Sequence, residues 1–256
     1  MELSDRVVVV TGAGSGIGAA MSRRFAREGP SALILADLDL DSARSVAEGL
    51  DATPVQVDVA SQESNRRLVE FVEERFGPVD LFCANAGIGF AGDEQTDPED
   101  WDRMWQVNTM SHVHAARCLI PGWLARGQGY FLSTASAAGL LTNLKAAQYS
   151  VTKHAAVAFA EWLSVTYGDR GVKVSCLCPM GVRTPFLDEA KEFHDLLDAD
   201  ALEPEQVAEA VVAGLADEDF LILPHPEVLR YLQNKANDYE RWLEGMRKLQ
   251  RTVFPT

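Results

Sequence analysis

The stretch Val7-Val8-Val9-Val10-Thr11-Gly12-Ala13-Gly14-Ser15-Gly16-Ile17-Gly18 decides the fold. Four consecutive β-branched residues favour an extended strand. The glycines that follow let the backbone turn tightly and admit an anion to van der Waals contact. Residues 16–28 then carry helical spacing, so the turn opens onto a helix N-terminus. There, unpaired N–H groups and partial positive charge face any bound anion. A glycine motif alone is weak evidence, but here it has a strand before it, a helix after it and a second strand beyond.

The same alternation continues outward. Short apolar runs at 32–36, 54–57, 79–84, 129–134, 173–178 and 220–223 read as strands. Their near-continuous apolarity suits strands buried on both faces, hence a parallel sheet. Between them, 41–49, 61–76, 98–126, 147–169 and 204–215 read as helices. Thr96-Asp97-Pro98-Glu99 is a start signal, with Pro in the first turn and acids around it. The expected fold is α/β: a doubly wound, Rossmann-type parallel sheet of seven strands. Residues 1–225 are expected to form one domain, with the dinucleotide-binding and catalytic residues sought there, and 226–256 a helical tail of that same domain.

The 256 residues carry 38 acidic against 23 Lys and Arg side chains, a formal charge of −15. So acidic a surface repels phosphate backbones and anionic membranes, which argues against nucleic-acid partners. No apolar run is long enough to span a bilayer. The N-terminal Met1-Glu2-Leu3-Ser4-Asp5-Arg6 has no signal-like apolar stretch, so a cytoplasmic location is expected. The four cysteines are expected to be reduced thiols. His112 and His114 lie two apart with no further ligand at suitable spacing, so no metal site is expected.

Strand ends carry the polar groups. Asp37, with Leu38, closes the second strand 19 residues after Gly18, where a carboxylate accepts both hydroxyls of an adenosine ribose. A 2′-phosphate within about 4 Å of it would cost several kcal/mol even at an effective dielectric near 20. No Lys or Arg stands at Ala13, Ser15 or Leu38 to offset this, so NAD is expected over NADP. Asp58-Val59 ends the third strand beside the adenine position, and Asn85-Ala86-Gly87 ends the fourth.

Tyr149 and Lys153 stand four apart, on one face of a helix, with Ser136 thirteen residues earlier at a strand end. An ammonium about 5 Å from a phenol favours phenolate by about 3 kcal/mol at dielectric 20, lowering its pKa by about two units. That spacing turns an inert phenol into a general acid/base.

Together, Thr11-Gly12, Gly16, Gly18, Asn85-Ala86-Gly87, Asn108, Ser136, Tyr149, Lys153 and Pro179, Val182, Thr184 resemble the short-chain dehydrogenase/reductase family in order and spacing. The resemblance covers residues 1 to about 223 and points to the family's compact branch. It implies that Tyr149 is the general base in alcohol oxidation and the acid in ketone reduction. It implies that Lys153 holds the nicotinamide ribose and that Ser136 steadies the substrate oxygen. Asn108 would bend its helix and hold a water linked to Lys153. Val182 and Thr184 would contact the carboxamide, beside Pro179, and Ser15 and Ile17 would reach the diphosphate through backbone groups. A homodimer or homotetramer is implied.

For substrate contact, Leu140, Leu141 and Leu144 before Tyr149, Met180, and an acidic segment holding Phe186, Leu187, Phe193, Leu196 and Leu197 suggest an apolar lid. His194 falls in that segment. The expected function is NAD-dependent interconversion of an apolar secondary alcohol and its ketone. Two other readings stand beside it: an NAD-binding sensor without turnover, and an NADPH-type acyl-carrier-protein ketoreductase. Asp37 and the acidic surface argue against the latter.

Residues 226–250 read as one amphipathic helix with Leu229, Leu232, Ala236, Tyr239, Leu243 and Met246 on a seam. Residues 226–256 hold six basic and four acidic side chains, against the acidic remainder. The tail either packs on its own domain or docks as an arm on a neighbouring acidic subunit.

Overall fold

The structure, a computed structural model, describes residues 1–189 and 201–254. Phe193, His194, Leu196 and Leu197 of the expected lid therefore lie outside the described residues. Seven strands form one sheet: β1 (Val7–Thr11), β2 (Ala32–Asp37), β3 (Thr53–Gln56), β4 (Leu81–Ala84), β5 (Gly129–Thr134), β6 (Val172–Leu177) and β7 (Leu221–Ile222). Their order is β3-β2-β1-β4-β5-β6-β7, with every pairing parallel.

The strands' unbroken apolarity serves two cores. Val7, Val9, Ile34, Phe82 and Phe131 face one layer, and Val8, Val10, Leu33, Leu35, Leu81 and Leu132 face the other. That is the period of two along each strand. The first layer is covered by α3 (Gln62–Phe76), α5 (Ser111–Arg126) and α6 (Ala147–Tyr167), through Leu68, Val72, Leu119, Trp123, Ala156 and Leu163. The second is covered by α1 (Gly16–Ala26), α2 (Leu40–Ala47) and, counting on past α7 (Pro185–Glu189), α8 (Pro204–Asp217), through Met21, Phe25, Val46, Val207, Val211 and Leu215.

Sequence spacing suggests one helix over 98–126, and the structure divides it. α4 (Pro98–Trp105) passes through a π-helical turn, Gln106–Met110, before α5 begins. The wide turn contains Asn108. The expected helix over 226–250 is also two: α9 (Glu227–Asn237) and α10 (Tyr239–Val253). Asp238 leaves helical geometry at φ −151°, ψ 87°, and its carboxylate accepts the Arg241 N–H as a cap. The break misaligns the expected seam: Leu229 and Tyr239 are exposed, and Val228 and Lys235 form the buried face of α9. The tail packs on its own chain, with Met246 and Phe254 against Leu144 and Ala146.

All four cysteines are free, and Cys176 and Cys178 lie in the core. No helix among the described residues is long and apolar enough to cross a membrane.

Trp123 anchors α5 to the sheet. It is 1 % exposed, and its indole N–H donates to the Val79 carbonyl at 2.7 Å. It lies over Gly129, where a Cβ would stand 2.1 Å from the ring. Trp123→Ala is expected to lower unfolding free energy by about 3–5 kcal/mol, read by urea denaturation.

Candidate active site

The carboxyl ends of the strands open on one continuous cavity of about 1390 Å³. Its position is the crevice where strand order reverses between β1 and β4, the expected ligand site of an open parallel sheet.

The glycine turn is held by contact. Gly12 has φ +64°, and a Cβ there would stand 2.8 Å from the Ala86 Cα. A Cβ on Gly18 would stand 2.0 Å from the Gly12 carbonyl oxygen, which no side chain survives. The Thr11 hydroxyl donates to the Cys83 carbonyl at 3.1 Å and accepts from the Asn85 and Ala86 N–H groups at 3.0 and 3.2 Å. The Asn85 amide donates to the Thr11 carbonyl at 3.0 Å. Ser15 precedes α1 without a side-chain cap, so the first N–H groups of that helix face the cavity unsupplied.

Asp37 receives the Gly14 N–H on one carboxylate oxygen at 2.8 Å and the Asp39 N–H on the other at 3.0 Å. Two of about four acceptor positions are thereby left for a ligand. Leu38, Asp58 and Val59 line the same end of the cavity. Ile17, Gly16, Gly87, Pro179, Val182 and Thr184 line its middle, with the Thr184 methyl 3.0 Å from where a Gly16 Cβ would sit.

At the far end stand Ser136, Tyr149 and Lys153. Ser136 hydrogen-bonds Tyr149, and its hydroxyl also accepts the Ala138 N–H at 3.1 Å. The Lys153 ammonium lies 5.7 Å from the centre of the Tyr149 ring and donates to the Thr134 carbonyl at 3.0 Å. The expected lowering of the Tyr149 pKa by Lys153 is not what this geometry yields. Burial pushes the Tyr149 hydroxyl up to about 12, against the opposing pull of the Ser136 bond. Burial likewise drives Lys153 down to about 8. Desolvation disfavours both charged forms and is the largest influence on each.

Asn108 is fully buried beneath the cavity wall rather than on it. Its amide accepts from Ile88 N–H at 2.9 Å and donates to the Ile88 carbonyl at 2.8 Å and the Thr152 hydroxyl at 3.3 Å. It clamps the strand-four loop to the Tyr149 helix.

Met180, Phe186 and Leu187 line the cavity, and the Phe186 ring centre is 5.7 Å from that of Tyr149. Leu140 does not line it. That side chain turns into the core, and Leu141 and Leu144 take the wall instead. The sequence reading missed Tyr231, Trp242, Met246 and Leu249 as lining residues. Met246 on the seam is the one signal that pointed there.

The model of the family described as short chain dehydrogenase matches residues 6–195. The 1-deoxy-11-beta-hydroxypentalenate dehydrogenase of Streptomyces exfoliatus is 32 % identical over 250 residues, covering 94 % of this chain and 90 % of its own. The meso-2,3-butanediol dehydrogenase of Serratia marcescens is 33 % identical, covering 86 % and 90 %. A short-chain dehydrogenase/reductase from Burkholderia phymatum, solved in complex with NAD, superposes with a TM-score of 0.84 at 30 % identity, covering 94 % and 96 %. The chain belongs to the short-chain dehydrogenase/reductase family. Its relatives are oxidoreductases that include alcohol and diol dehydrogenases, and the family and fold support a nicotinamide cofactor.

The Lys153 shift has a readable consequence. Between pH 8 and 10.5 the unfolded chain holds a proton there that the folded chain has released, so stability gains with pH across that window. The melting temperature of the native protein should rise relative to Lys153→Met between pH 7 and 10. A constant difference would refute the shift.

Proposed function

We propose that the protein interconverts an apolar secondary alcohol and its ketone with NAD as the hydride carrier. The observation that carries this reading is one continuous cavity with Asp37 at one end and Ser136, Tyr149 and Lys153 at the other. The names of two relatives, a hydroxypentalenate dehydrogenase and a butanediol dehydrogenase, support the alcohol class.

The residues fit a dinucleotide. Gly12, Gly16, Gly18 and the uncapped start of α1 receive the diphosphate, with Ser15 and Ile17 offering backbone groups. Asp37 holds the adenosine ribose, and Asp58 and Val59 border the adenine. Among the described residues, the lining of that end includes Asp37 and Asp58 and no Lys or Arg, which favours NAD. Asn85, Ala86 and Gly87 pass beneath the nucleotide. Pro179, Val182 and Thr184 take the carboxamide side, and Lys153 takes the nicotinamide ribose.

NAD, when bound in this groove, would supply the hydride-accepting group for the carbinol carbon. Tyr149 accepts the hydroxyl proton during oxidation and returns it during reduction. Ser136 donates a hydrogen bond to the substrate oxygen and steadies its developing charge. Lys153, held on the Thr134 carbonyl, favours phenolate whenever it is charged. Asn108 acts through its grip on Ile88. Phe186, Leu187, Met180, Leu141 and Leu144 receive the apolar body of the substrate. On this reading the protein works in the cytoplasm as a homodimer or homotetramer. Trp162, 53 % exposed, and Val165, 87 % exposed, on α6 support that association.

Tyr149→Phe should cut turnover by at least about a hundredfold while NADH titration by fluorescence stays near native. Alcohol oxidation by the native protein should rise from pH 7 to 9, because its base is raised to about 12, whereas ketone reduction, which needs the protonated phenol, should not. Absence of turnover across aliphatic, aryl and alicyclic alcohols, with NADH bound, would favour the sensor reading instead. NADH should be preferred over NADPH by at least about a hundredfold, and Asp37→Ser should narrow that ratio. Equal use of both by the native protein would overturn the cofactor assignment.

A further inference from the structure

Lys235 is buried, at 9 % exposure, on a helix pair whose surface is otherwise largely open. Its ammonium donates to the Leu140 carbonyl at 2.9 Å and the Leu141 carbonyl at 3.3 Å. It also stands 4.9 Å from the Trp242 ring centre and 5.7 Å from that of Tyr239. Among the described residues no carboxylate pairs with it. Burying an ammonium is costly unless its donors are met, and here backbone carbonyls and aromatic faces meet them.

The contacts run across a specific junction. Lys235 belongs to α9, Tyr239 and Trp242 belong to α10, and residues 140–141 lead into the loop that ends where α6, the helix of Tyr149, begins. One side chain therefore ties three pieces together across the break at Asp238. Beyond it, Met246 and Phe254 pack on Leu144 and Ala146 against Tyr149, and Lys145 lies 5.4 Å from the Phe254 ring centre. Trp242, Met246 and Leu249 present their side chains to the cavity. None of these residues lies at the Asp37 end of the groove.

We infer that α9 and α10 form the substrate-selecting wall of the cavity and that Lys235 is the positioning residue that pins this wall to the 140–146 loop. The inference rests on the alcohol–ketone reading for its substrate side. Beside the polar Asn234, Asn237, Asp238 and Arg241, the wall carries Tyr231, Trp242, Met246 and Leu249; these apolar faces reward a bulky alicyclic or aryl body and contribute little to a small alcohol. Loosening the pin lowers selectivity for bulk without disturbing the dinucleotide groove.

The test compares native protein, Lys235→Met and Lys235→Arg. Three quantities are read: the NADH dissociation constant, the ratio of kcat/KM for a bulky alicyclic alcohol to that for 2-butanol, and hydrogen exchange of peptides across 227–253. In Lys235→Met the selectivity ratio should fall on the order of tenfold, chiefly through KM for the bulky alcohol. NADH affinity should stay within about twofold of native, since the pin lies outside the groove, and exchange across 227–253 should accelerate. Lys235→Arg, which keeps donors for the two carbonyls, should restore part of both the ratio and the protection. Unchanged exchange in Lys235→Met would overturn the pin. Equal losses on small and bulky alcohols, or a parallel loss of NADH affinity, would overturn the wall. Silence of the native protein toward every alcohol would count against the proposed reaction, and the exchange result would still decide the pin.

Discussion

The Thr11 hydroxyl stands where the sheet reverses its winding, and the geometry of the cavity depends on what it holds. It joins the last residue of β1 to Cys83 in β4 and to the Asn85-Ala86 turn just beyond that strand through three hydrogen bonds, one donated and two accepted. The two neighbouring strand ends are thereby fixed at the spacing that lets Gly12 touch Ala86 and Gly18 touch Gly12. Side chains are excluded from that junction, so the backbone itself forms the floor of the groove. The glycines make this approach possible, and the hydroxyl makes it specific.

The chemistry at the other end is governed by dehydration rather than by simple charge pairing. A phenol and an ammonium are placed near one another in an environment that resists charge on either. Each group is offered a partial remedy: the Ser136 bond for the phenol and the Thr134 carbonyl for the ammonium. A ligand that brings its own charge changes the balance that burial alone sets.

Much of this was legible in the sequence, for physical reasons. Strand positions were readable because buried parallel strands are continuously apolar, and helix starts were readable at Asp97-Pro98 because caps are local chemistry. The groove residues were readable because glycines, Asp37 and the Asn85 turn sit at strand ends in fixed order. What was missed depends on tertiary packing. The bend at Asn108 was implied by the family resemblance, but its bonds to Ile88, which is distant in sequence, were not readable from spacing. The break at Asp238 overrides a seam that spacing alone supports. Leu140 and Leu141 are neighbours of the same type, and only the packed loop decides which of them faces the cavity. The sign of the Tyr149 shift likewise depends on burial, which spacing does not report.

The anchoring of α9 uses main-chain carbonyls instead of a matched side chain. Every residue type offers such carbonyls, so the side chains of the loop that Lys235 grips are free of any pairing obligation toward it. Residues on the two faces of the cavity can accordingly drift independently over evolutionary time. A lineage could exchange Leu141 or Thr142 for other residues, and so reshape the cavity wall, while the Lys235 anchor of the helices above stays in place.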